Sequence, residues 1–508
     1  MKKKIVLLPL DERPCNYDFP MELFNHEELE IVRPDKLGDK KKLANRDKII
    51  NFLKKECIDA DGLILSIDML LYGGLVPSRI HNGTVKEFRK MSTVIKELKE
   101  KNPNLLIYGF QVVMRCPSYS SNDEEPDYYE ECGETIHRVG ELIHKSRLGL
   151  SDEKKMNLIM PEINQEYLND YVGRRQINCE MNRYILNYLK EGYLDFMVIP
   201  QDDSATYGYA AMDQEIIRAE IMKQNLGDRI LVYPGADEVG MVMIARLINK
   251  IHGKKPKVYV KYVCEKAKYI VPLYEGNTLS TTVKYHILSS GCQMVECYEH
   301  ADLIMVVTAP AGEMKEAIAQ PCLLPDYRAE RNFPELIDFI KDRIAEGKQI
   351  TIADNAYANG GDLEFINMLN YNNLLLKVDG YAGWNTSANT IGTALAEGID
   401  ALYYGKSKAH QDFLVKRYIE DVGYCSVVRG KVTEELAGTE MNYFDVKEKR
   451  GFVSQTVEKY LREFLFQYCS SVADKIWLKD VYMPWRRMFE VGFQAGIEAS
   501  SDDRSKGI

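Results

Sequence analysis

Among the adjacent carboxylate pairs of this chain, two that directly follow short apolar runs are the candidates for acid–base chemistry. Asp202 and Asp203 follow "FMVIPQ", and Asp237 and Glu238 follow "RILVYPGA". Two like charges so close together do not both ionise easily, so one member of a pair can hold a proton near neutral pH. Glycosidases need such a proton donor together with a second carboxylate that acts as base or nucleophile. These four acids are the predicted catalytic residues, and the sequence leaves open which pair does the chemistry.

A second set of polar and aromatic residues also follows apolar runs, usually beside glycine or proline. A carboxylate or amide at such a place can simply cap the next helix or form a turn. That explanation does not account for the doubled acids, for the arginines or for Trp384. We therefore expect these side chains to line a polar cleft and bind substrate. The predicted substrate-binding residues are Asp11, Arg13, Asp68, Tyr72, Arg79, Arg115, Tyr207, Asp354, Asn355, Asp362, Trp384 and Asn385.

The elements that must position these residues are short apolar runs that alternate with amphipathic helical patterns. Apolar runs without alternation, separated by helices, are typical of parallel strands covered on both faces. The pattern begins with "KIVLLPL" and restarts at "KVYVKYV". It predicts an α/β protein with two doubly wound parallel-sheet domains facing a cleft, followed by a helical C-terminal region. An elaborated (β/α)8 barrel is the alternative, but the short connection between "QMVECY" and "ADLIMVV" leaves no room for a barrel helix. In both architectures the site lies at the carboxyl ends of the strands.

The predicted domain boundaries follow this restart of the pattern. Residues 1–253 form an N-terminal α/β domain with a helical, tyrosine-rich insertion over 116–192. Residues 254–405 form the second α/β domain, and 406–508 form the helical C-terminal region. We expect the insertion to form a lid or wall over the site.

The composition excludes several classes of partner. The net charge of −10 over 508 residues opposes binding to a polyanion, so we expect no nucleic-acid partner. The apolar runs are too short to span a bilayer, so we expect no membrane segment, and the chain resembles a cytoplasmic protein. The 11 cysteines form no CxxC pair, which indicates reduced thiols rather than a zinc site. We expect no cofactor, and the sequence leaves a homo-oligomer open.

Six motifs, spread over nearly the whole chain, resemble an uncharacterised bacterial family known as domain of unknown function 4127. They are "PLDERPCN", "DMLLYGGLVPSR", "PQDDSATYG", "YPGADEVG", "DNAYANGGD" and "GWNTSANTIGTALAEG". This resemblance implies no activity. Two shorter stretches, "GADEV" and "QDDS", are similar to the paired acids of retaining hexosaminidases, although those enzymes line their pockets with more tryptophan than the 3 present here.

The predicted function is therefore a hydrolase: a glycoside hydrolase that acts on a small carbohydrate, with N-acetylated sugars among the candidates. Asp, Asn, Arg and Gln side chains suit vicinal hydroxyl groups, and aromatic faces suit sugar rings. One alternative is a Mg²⁺- or Mn²⁺-dependent hydrolase or sugar isomerase, with the metal held by oxygen ligands at Asp11, Asp68 and Asp354. A third reading is a non-catalytic carbohydrate-binding protein.

Overall fold

The computed structural model describes residues 2–150, 163–202 and 205–498. The chain divides into two compact units. We call Met1–Tyr17, His26–Ile244 and Tyr274–Asn277 the N-terminal unit. The C-terminal unit contains Asp18–Asn25, Ala245–Leu273 and Thr278–Ile508.

The N-terminal unit is built on one parallel sheet. Its strands are β1 (Lys3–Leu8), β2 (Leu29–Val32), β3 (Gly62–Ser66), β4 (Leu106–Phe110), β5 (Phe196–Gln201) and β6 (Ile230–Pro234). They lie in the order β2-β1-β3-β4-β5-β6 and pair in parallel throughout. Every residue of β3 and β5 is buried. Strands covered on both faces need apolar residues on both, which explains why these runs show no alternation.

The C-terminal unit contains a second parallel sheet and two small sheets. Its strands are β7 (Lys257–Tyr262), β8 (Gln293–Val295), β9 (Leu303–Thr308), β10 (Lys315–Glu316), β11 (Gln349–Asp354), β12 (Tyr357–Ala358), β13 (Gly380–Ala382), β14 (Ile476–Tyr482) and β15 (Gly492–Ile497). The main sheet has the order β13-β11-β9-β7-β8. β10 and β12 form a short parallel pair, and β14 and β15 form an antiparallel pair.

Helices connect most of these strands. In chain order they are α1 (Pro14–Tyr17), α2 (Phe19–Phe24), α3 (Arg46–Glu56), α4 (Ile67–Tyr72), α5 (Pro77–Ile80), α6 (Val85–Lys101), α7 (Tyr129–Arg147), α8 (Gln165–Lys190), α9 (Tyr209–Gln224), α10 (Val239–Ile251), α11 (Leu279–Ser289), α12 (Pro325–Arg328), α13 (Phe333–Ala345), α14 (Leu363–Tyr371), α15 (Ser387–Tyr404), α16 (Lys408–Arg417), α17 (Arg429–Glu435) and α18 (Phe452–Tyr468). A π-helical segment, Tyr418–Val428, joins α16 to α17. Short 3₁₀ turns occupy Lys266–Tyr269, Tyr298–His300, Ala317–Ala319, Ala473–Lys475 and Pro484–Arg486.

The predicted fold class, two doubly wound parallel sheets, is confirmed. The barrel alternative is wrong, since neither parallel sheet closes on itself in the described ranges. In the second sheet, β8 and β9 follow each other in the chain but are separated by β7. Successive strands of a (β/α)8 barrel are instead neighbours. The run "LLLKV" at 374–378 forms a turn, and the strand after it is limited to Gly380–Ala382. No helix in the described part of the chain is both long and apolar enough to cross a membrane.

The segment predicted as an insertion carries α7 and α8, which share a small core with α9. Tyr129, Ile136 and Val139 of α7 lie against Tyr171 of α8 and Tyr209 of α9. The larger core of the N-terminal unit lies between the sheet and its helices. The predicted boundary near residue 253, the insertion and the C-terminal region stay predictions as domains. The described part of 406–508 contains the antiparallel pair β14 and β15 in addition to helices.

Candidate functional site

Asp11 and Asp237 lie together in the N-terminal unit, although they follow different strands. The Arg13 side chain donates from Nη2 to Asp11 Oδ2 at 2.6 Å and to Asp237 Oδ1 at 2.6 Å. The Asn16 amide also donates to both acids, to Asp11 Oδ1 at 3.1 Å and to Asp237 Oδ1 at 2.9 Å. One guanidinium and one amide therefore bridge two carboxylates. We call these four residues the Asp11–Asp237 cluster.

The position of this cluster follows from where the chain leaves the sheet. Asp11 comes three residues after the end of β1, and Asp237 comes three residues after the end of β6. Three strands, β3, β4 and β5, separate β1 from β6 in the sheet. The loops at the carboxyl edge must therefore turn toward each other, as expected for a functional edge of a parallel sheet.

Burial sets the protonation of the two acids in this cluster. Burial raises the pKa of Asp237 to about 7, with Arg13 opposing the rise and the charges of Asp11 and Asp202 adding to it. Burial also raises the pKa of Asp11, again against the effect of Arg13. A carboxyl group with a pKa near neutrality can both give and take a proton under ordinary conditions, which is the requirement for a general acid.

Glu238 differs from its neighbour in what its carboxylate contacts. It is fully buried, and its Oε2 accepts from the backbone N–H of Ala236 at 3.0 Å. Gly235 has a φ of 120°, and a Cβ at Gly235 would lie 2.2 Å from Glu238 Oε1. Glu238 thus folds over its own turn, which requires glycine there and holds the loop that presents Asp237. Its predicted catalytic role stays a prediction without support from this geometry.

A second cluster of opposite charges surrounds Arg79 and Arg115. Arg79 donates to Asp202 Oδ2 at 2.6 Å and to Glu124 Oε2 at 2.8 Å. Arg115 donates from Nε to Glu125 Oε1 at 2.8 Å and from Nη2 to Glu124 Oε2 at 3.2 Å. Asp202 keeps 21% of its side chain exposed, whereas Arg79 is buried. We call these five residues the Arg79 cluster. Asp202 and Glu124 are its most exposed members, and a solute can reach both.

The other acid of the first predicted pair, Asp203, lies outside the described residues. Tyr207 lies nearby in the chain but contacts helix α7 instead of the acids above. Its ring packs edge-to-face on His144 with centroids 5.7 Å apart, and Lys145 Nζ lies 5.0 Å from the ring centre. Substrate contact by Tyr207 stays a prediction.

Asp68 and Tyr72 occupy α4, which starts where β3 ends. Ser66 caps this helix by accepting from the Met69 N–H at 3.1 Å, and Gly73 ends it in a left-handed conformation. The cap places Asp68 and Tyr72 one helical turn apart. Asp68 Oδ2 accepts from the Val112 N–H at 2.8 Å, just past β4. Burial raises the pKa of Asp68 to about 7.

In the C-terminal unit, Asp354 ends β11 and is surrounded by hydrogen-bond donors. Its Oδ1 accepts from the Thr308 hydroxyl at 2.5 Å and from the Ala356 N–H at 3.4 Å. Its Oδ2 accepts from the Tyr381 hydroxyl at 2.7 Å and from the Asp362 N–H at 2.8 Å. Asp354 therefore ties the loop after β11 to the neighbouring strands β9 and β13. Burial and the Asp362 charge raise its pKa.

Asp362 caps the start of helix α14, which is the structural role that its position after Gly360 and Gly361 allowed. Its Oδ1 accepts from the N–H groups of Glu364 and Phe365 at the start of α14, and its Oδ2 accepts from buried Arg331. Asn355 is fully buried beside β11, and its side-chain N–H donates to the Ala353 carbonyl at 3.3 Å.

Trp384 and Asn385 follow β13 in the same unit. The Trp384 indole N–H donates to the Thr393 hydroxyl at 3.2 Å, and the ring packs edge-to-face on Phe19. Asn385 adopts a left-handed conformation, φ 52°, and its carbonyl accepts from the Asn359 N–H at 2.8 Å. These contacts are internal to the unit, and a stacking role for Trp384 on a sugar stays a prediction.

The three aspartates considered as metal ligands have other partners. Asp11 lies against the positive charge of Arg13, which opposes a second cation. Asp354 uses both of its oxygens to accept hydrogen bonds within the protein. Asp11 and Asp354 are therefore poorly suited to hold a metal. Within the described ranges, no group of three or more His, Cys, Asp and Glu side chains is arranged for metal binding.

Several partners of these acids were not among the predicted residues. Asn16 stood inside the motif "PLDERPCN", and Glu124 and Glu125 form another adjacent acid pair, so these three residues had a signal in the sequence. No motif or spacing in the sequence pointed to Tyr381 or Asp421. Asp421 lies in the π-helical segment, where its carbonyl accepts from the Gly361 N–H at 2.9 Å and its Oδ2 accepts from the Gly383 N–H at 2.8 Å. Two loops of the C-terminal unit depend on it.

A family model described as Protein of unknown function (DUF4127) matches residues 5–494, which is nearly the whole chain. A search among curated proteins gives no match.

Proposed function

The chain belongs to the family described as Protein of unknown function (DUF4127), and we propose that it is a glycoside hydrolase that uses carboxylate acid–base catalysis. The observation that supports this most is the bridging of Asp11 and Asp237 by Arg13 and Asn16. The bridge keeps two buried carboxyl groups adjacent, and adjacency makes it costly for both to ionise.

Asp237 is the proposed proton donor. Its pKa is raised to about 7, so a large fraction is protonated near neutral pH. A glycosidic oxygen needs a proton as its bond to the sugar breaks, and a carboxylic acid with a raised pKa supplies it. Arg13 and Asn16 fix the orientation of the carboxyl group that delivers this proton.

Asp202 is the proposed second carboxylate. Its charge acts on Asp237, so the two groups lie within electrostatic reach of each other. Arg79 holds Asp202 Oδ2 at 2.6 Å, and a fifth of the Asp202 side chain is exposed. It can therefore act on the sugar carbon directly or through a water molecule. Asp203 remains the other candidate for this role.

The substrate is proposed to be a small carbohydrate, with N-acetylated sugars included. The exposed edge of the Arg79 cluster offers carboxylates from Asp202 and Glu124 to hydroxyl groups, and the arginines keep these carboxylates in fixed positions. Paired, immobile acceptors suit vicinal hydroxyl groups.

Carbohydrate binding without catalysis is the second candidate. One observation favours it: each acid of the Asp11–Asp237 cluster already accepts hydrogen bonds from Arg13 and Asn16. A satisfied, rigid network of this kind also serves a binding site, in which no proton has to move.

A screen of nitrophenyl glycosides, with and without EDTA, tests the proposal on three proteins. We expect the wild type to hydrolyse at least one glycoside, with or without EDTA, and Asp237→Asn to lose at least about a hundredfold in rate. Asp213→Asn is the matched control, because Asp213 is also paired with an arginine at 2.6 Å, in α9. It should keep the wild-type rate.

Two results would contradict the proposal. Loss of activity in EDTA, with recovery on adding Mg²⁺ or Mn²⁺, would favour the metal-dependent alternative. Binding of sugars without turnover of any glycoside would favour the binding protein.

A further inference from the structure

Three buried polar side chains at the carboxyl edge of the first sheet are not used by the proposed reaction. They are Tyr72, Gln111 and Gln201, and each is at most 5% exposed. The Tyr72 hydroxyl, both amide atoms of Gln111 and the amide nitrogen of Gln201 make no hydrogen bond with any described residue. Together with Asp68, we call these residues the Gln111 subsite.

The sheet brings these side chains to one place. β3, β4 and β5 are neighbours, and Gln111 is the residue directly after β4. Val113 pairs with Gln201 in parallel register. Side chains alternate along a strand, so Gln111 lies on the same face as Val113, and Val113 lies on the same face as Gln201. The two glutamines therefore project from the same side of the sheet.

Tyr72 and Asp68 complete the group from α4. Burial and the charge of Asp68 raise the pKa of Tyr72, and the Gln111 amide opposes this rise, so Tyr72, Asp68 and Gln111 lie close together. Asp68 accepts from the N–H of Val112, the residue after Gln111. The Tyr72 ring is fixed by stacking on His81, with centroids 4.8 Å apart.

Leaving these groups unpaired is costly. A buried donor or acceptor without a partner typically destabilises a protein, and most such groups in folded proteins have one. Four such atoms, without a partner in the described part of the chain, belong to Tyr72, Gln111 and Gln201. Their concentration at the functional edge of a parallel sheet points to a ligand that supplies the missing partners.

The chemistry of the four atoms identifies the ligand class. A primary amide presents a donor and an acceptor side by side, which matches two adjacent hydroxyl groups, one accepting and one donating. All the unpartnered atoms belong to neutral side chains. Arg79, whose charge acts on Asp68, is already paired with Asp202, Glu124 and Glu125. An anionic ligand group would therefore lack a counter-charge here.

We propose that the Gln111 subsite binds adjacent hydroxyl groups of an uncharged sugar ring. The inference rests on the proposed function for its location, because Gln201 directly precedes Asp202. Arg79, which pairs with Asp202, also acts on the charge of Asp68, so the subsite lies within electrostatic reach of the Arg79 cluster. The subsite thus determines which sugars reach Asp202, and it disfavours sugars that carry an anionic group.

Isothermal titration calorimetry tests this with D-glucose, N-acetyl-D-glucosamine and D-glucuronate as probes. We expect the two neutral sugars to bind the full-length protein and glucuronate to bind at least about tenfold more weakly. Gln111→Leu should weaken binding of the neutral sugars about tenfold, and Tyr72→Phe should weaken it by a smaller factor. Tyr72→Phe keeps the ring that stacks on His81, so it tests the subsite even if Gln111→Leu does not fold.

Gln224→Leu is the matched control. Gln224 in α9 also has an amide oxygen without a hydrogen-bond partner in the described chain, but it lies outside the subsite. We expect its sugar binding to equal that of the wild type. Equal binding by wild type, Gln111→Leu and Tyr72→Phe would overturn the inference, as would tighter binding of glucuronate than of glucose, or no binding of either neutral sugar.

The inference and the proposed function fail in different ways. Sugar binding that depends on Gln111, without hydrolysis of any glycoside, would remove the catalytic proposal and keep the subsite. Hydrolysis that depends on Asp237, with a KM unchanged in Gln111→Leu, would keep the catalytic proposal and remove the subsite.

Discussion

Acids that follow parallel strands have different roles in the two units. In the N-terminal unit, Asp11 and Asp237 face each other across one arginine and one amide. In the C-terminal unit, Asp354 is surrounded by hydroxyl and backbone donors, and Asp362 caps a helix while pairing with Arg331. The same sequence pattern, an acid after an apolar run, precedes both arrangements.

The difference lies in what the neighbouring groups can do. The donors around Asp354 hold one loop in place, and nothing in that arrangement requires a proton to move. Asp237 instead shares both of its donors, Arg13 and Asn16, with Asp11 and lies within reach of the charge on Asp202. Strand-end acids therefore indicate a functional edge only when a second acid shares their donors.

The largest expected effect concerns the structural role of the C-terminal unit. Arg331→Met leaves Asp362 buried without its charge partner, so the free energy of unfolding should fall by about 3–5 kcal/mol. Arg328→Met is the matched control, because Arg328 forms a half-exposed pair with Glu364 at 3.6 Å and should lose about 1 kcal/mol or less. Urea unfolding of both variants measures this, and equal losses would show that the Arg331 pair is not special.

The next prediction uses pH to test Asp237. Its pKa is about 7 in the folded protein against an ordinary value of 3.8, so the folded state holds a proton that the unfolded state has lost between these values. The stability from that proton is present at low pH and disappears as the pH rises through about 7. Asp237→Asn has no such proton. The stability of the wild type relative to this variant should therefore fall by more than about 1 kcal/mol as the pH rises.

Urea unfolding of both proteins across this pH range measures the difference. If the stabilities of the two proteins change with pH in parallel, Asp237 titrates as an ordinary acid. The proposed difference between Asp237 and the acids of the C-terminal unit would then lose its main support.

The smallest effect is expected at Tyr381. Tyr381→Phe removes the hydroxyl that donates to Asp354 at 2.7 Å and should lower the free energy of unfolding by about 1–3 kcal/mol. Tyr371→Phe, at a tyrosine that is 87% exposed, should leave stability unchanged. Thermal unfolding compares the two variants. A Tyr381→Phe protein as stable as the wild type would show that the hydroxyl does not hold the Asp354 loop.

Much of the fold was predictable because buried parallel strands have a simple signature. Runs such as "LILS" and "FMVIPQ" are apolar throughout, and in the structure they are β3 and β5. The position of the polar residues followed from the same reasoning, since the carboxyl end of a strand is where the chain leaves the core. The run "LLLKV" at 374–378 has a similar composition but forms a turn, so composition alone does not separate a turn from a strand.

The partners of the acids could not be predicted in the same way. Arg13 meets Asp237 across 224 positions of sequence, and only the packing of the sheet brings them together. Asp237 and Glu238 are adjacent and chemically alike, yet the direction of one turn sends the first toward Arg13 and the second back onto Gly235. Sequence spacing carries no information on that direction.

The most direct test measures melting temperature and turnover together for Asp237→Asn and Asp362→Asn, on a glycoside that the wild type hydrolyses. Asn keeps the size of Asp and can still cap a helix, so each change removes only the charge and the proton. We predict that Asp237→Asn loses at least about a hundredfold in turnover with little change in melting temperature, while Asp362→Asn melts several degrees lower and keeps its turnover. The reverse result, normal turnover in Asp237→Asn and loss of turnover in a stable Asp362→Asn, would contradict the account.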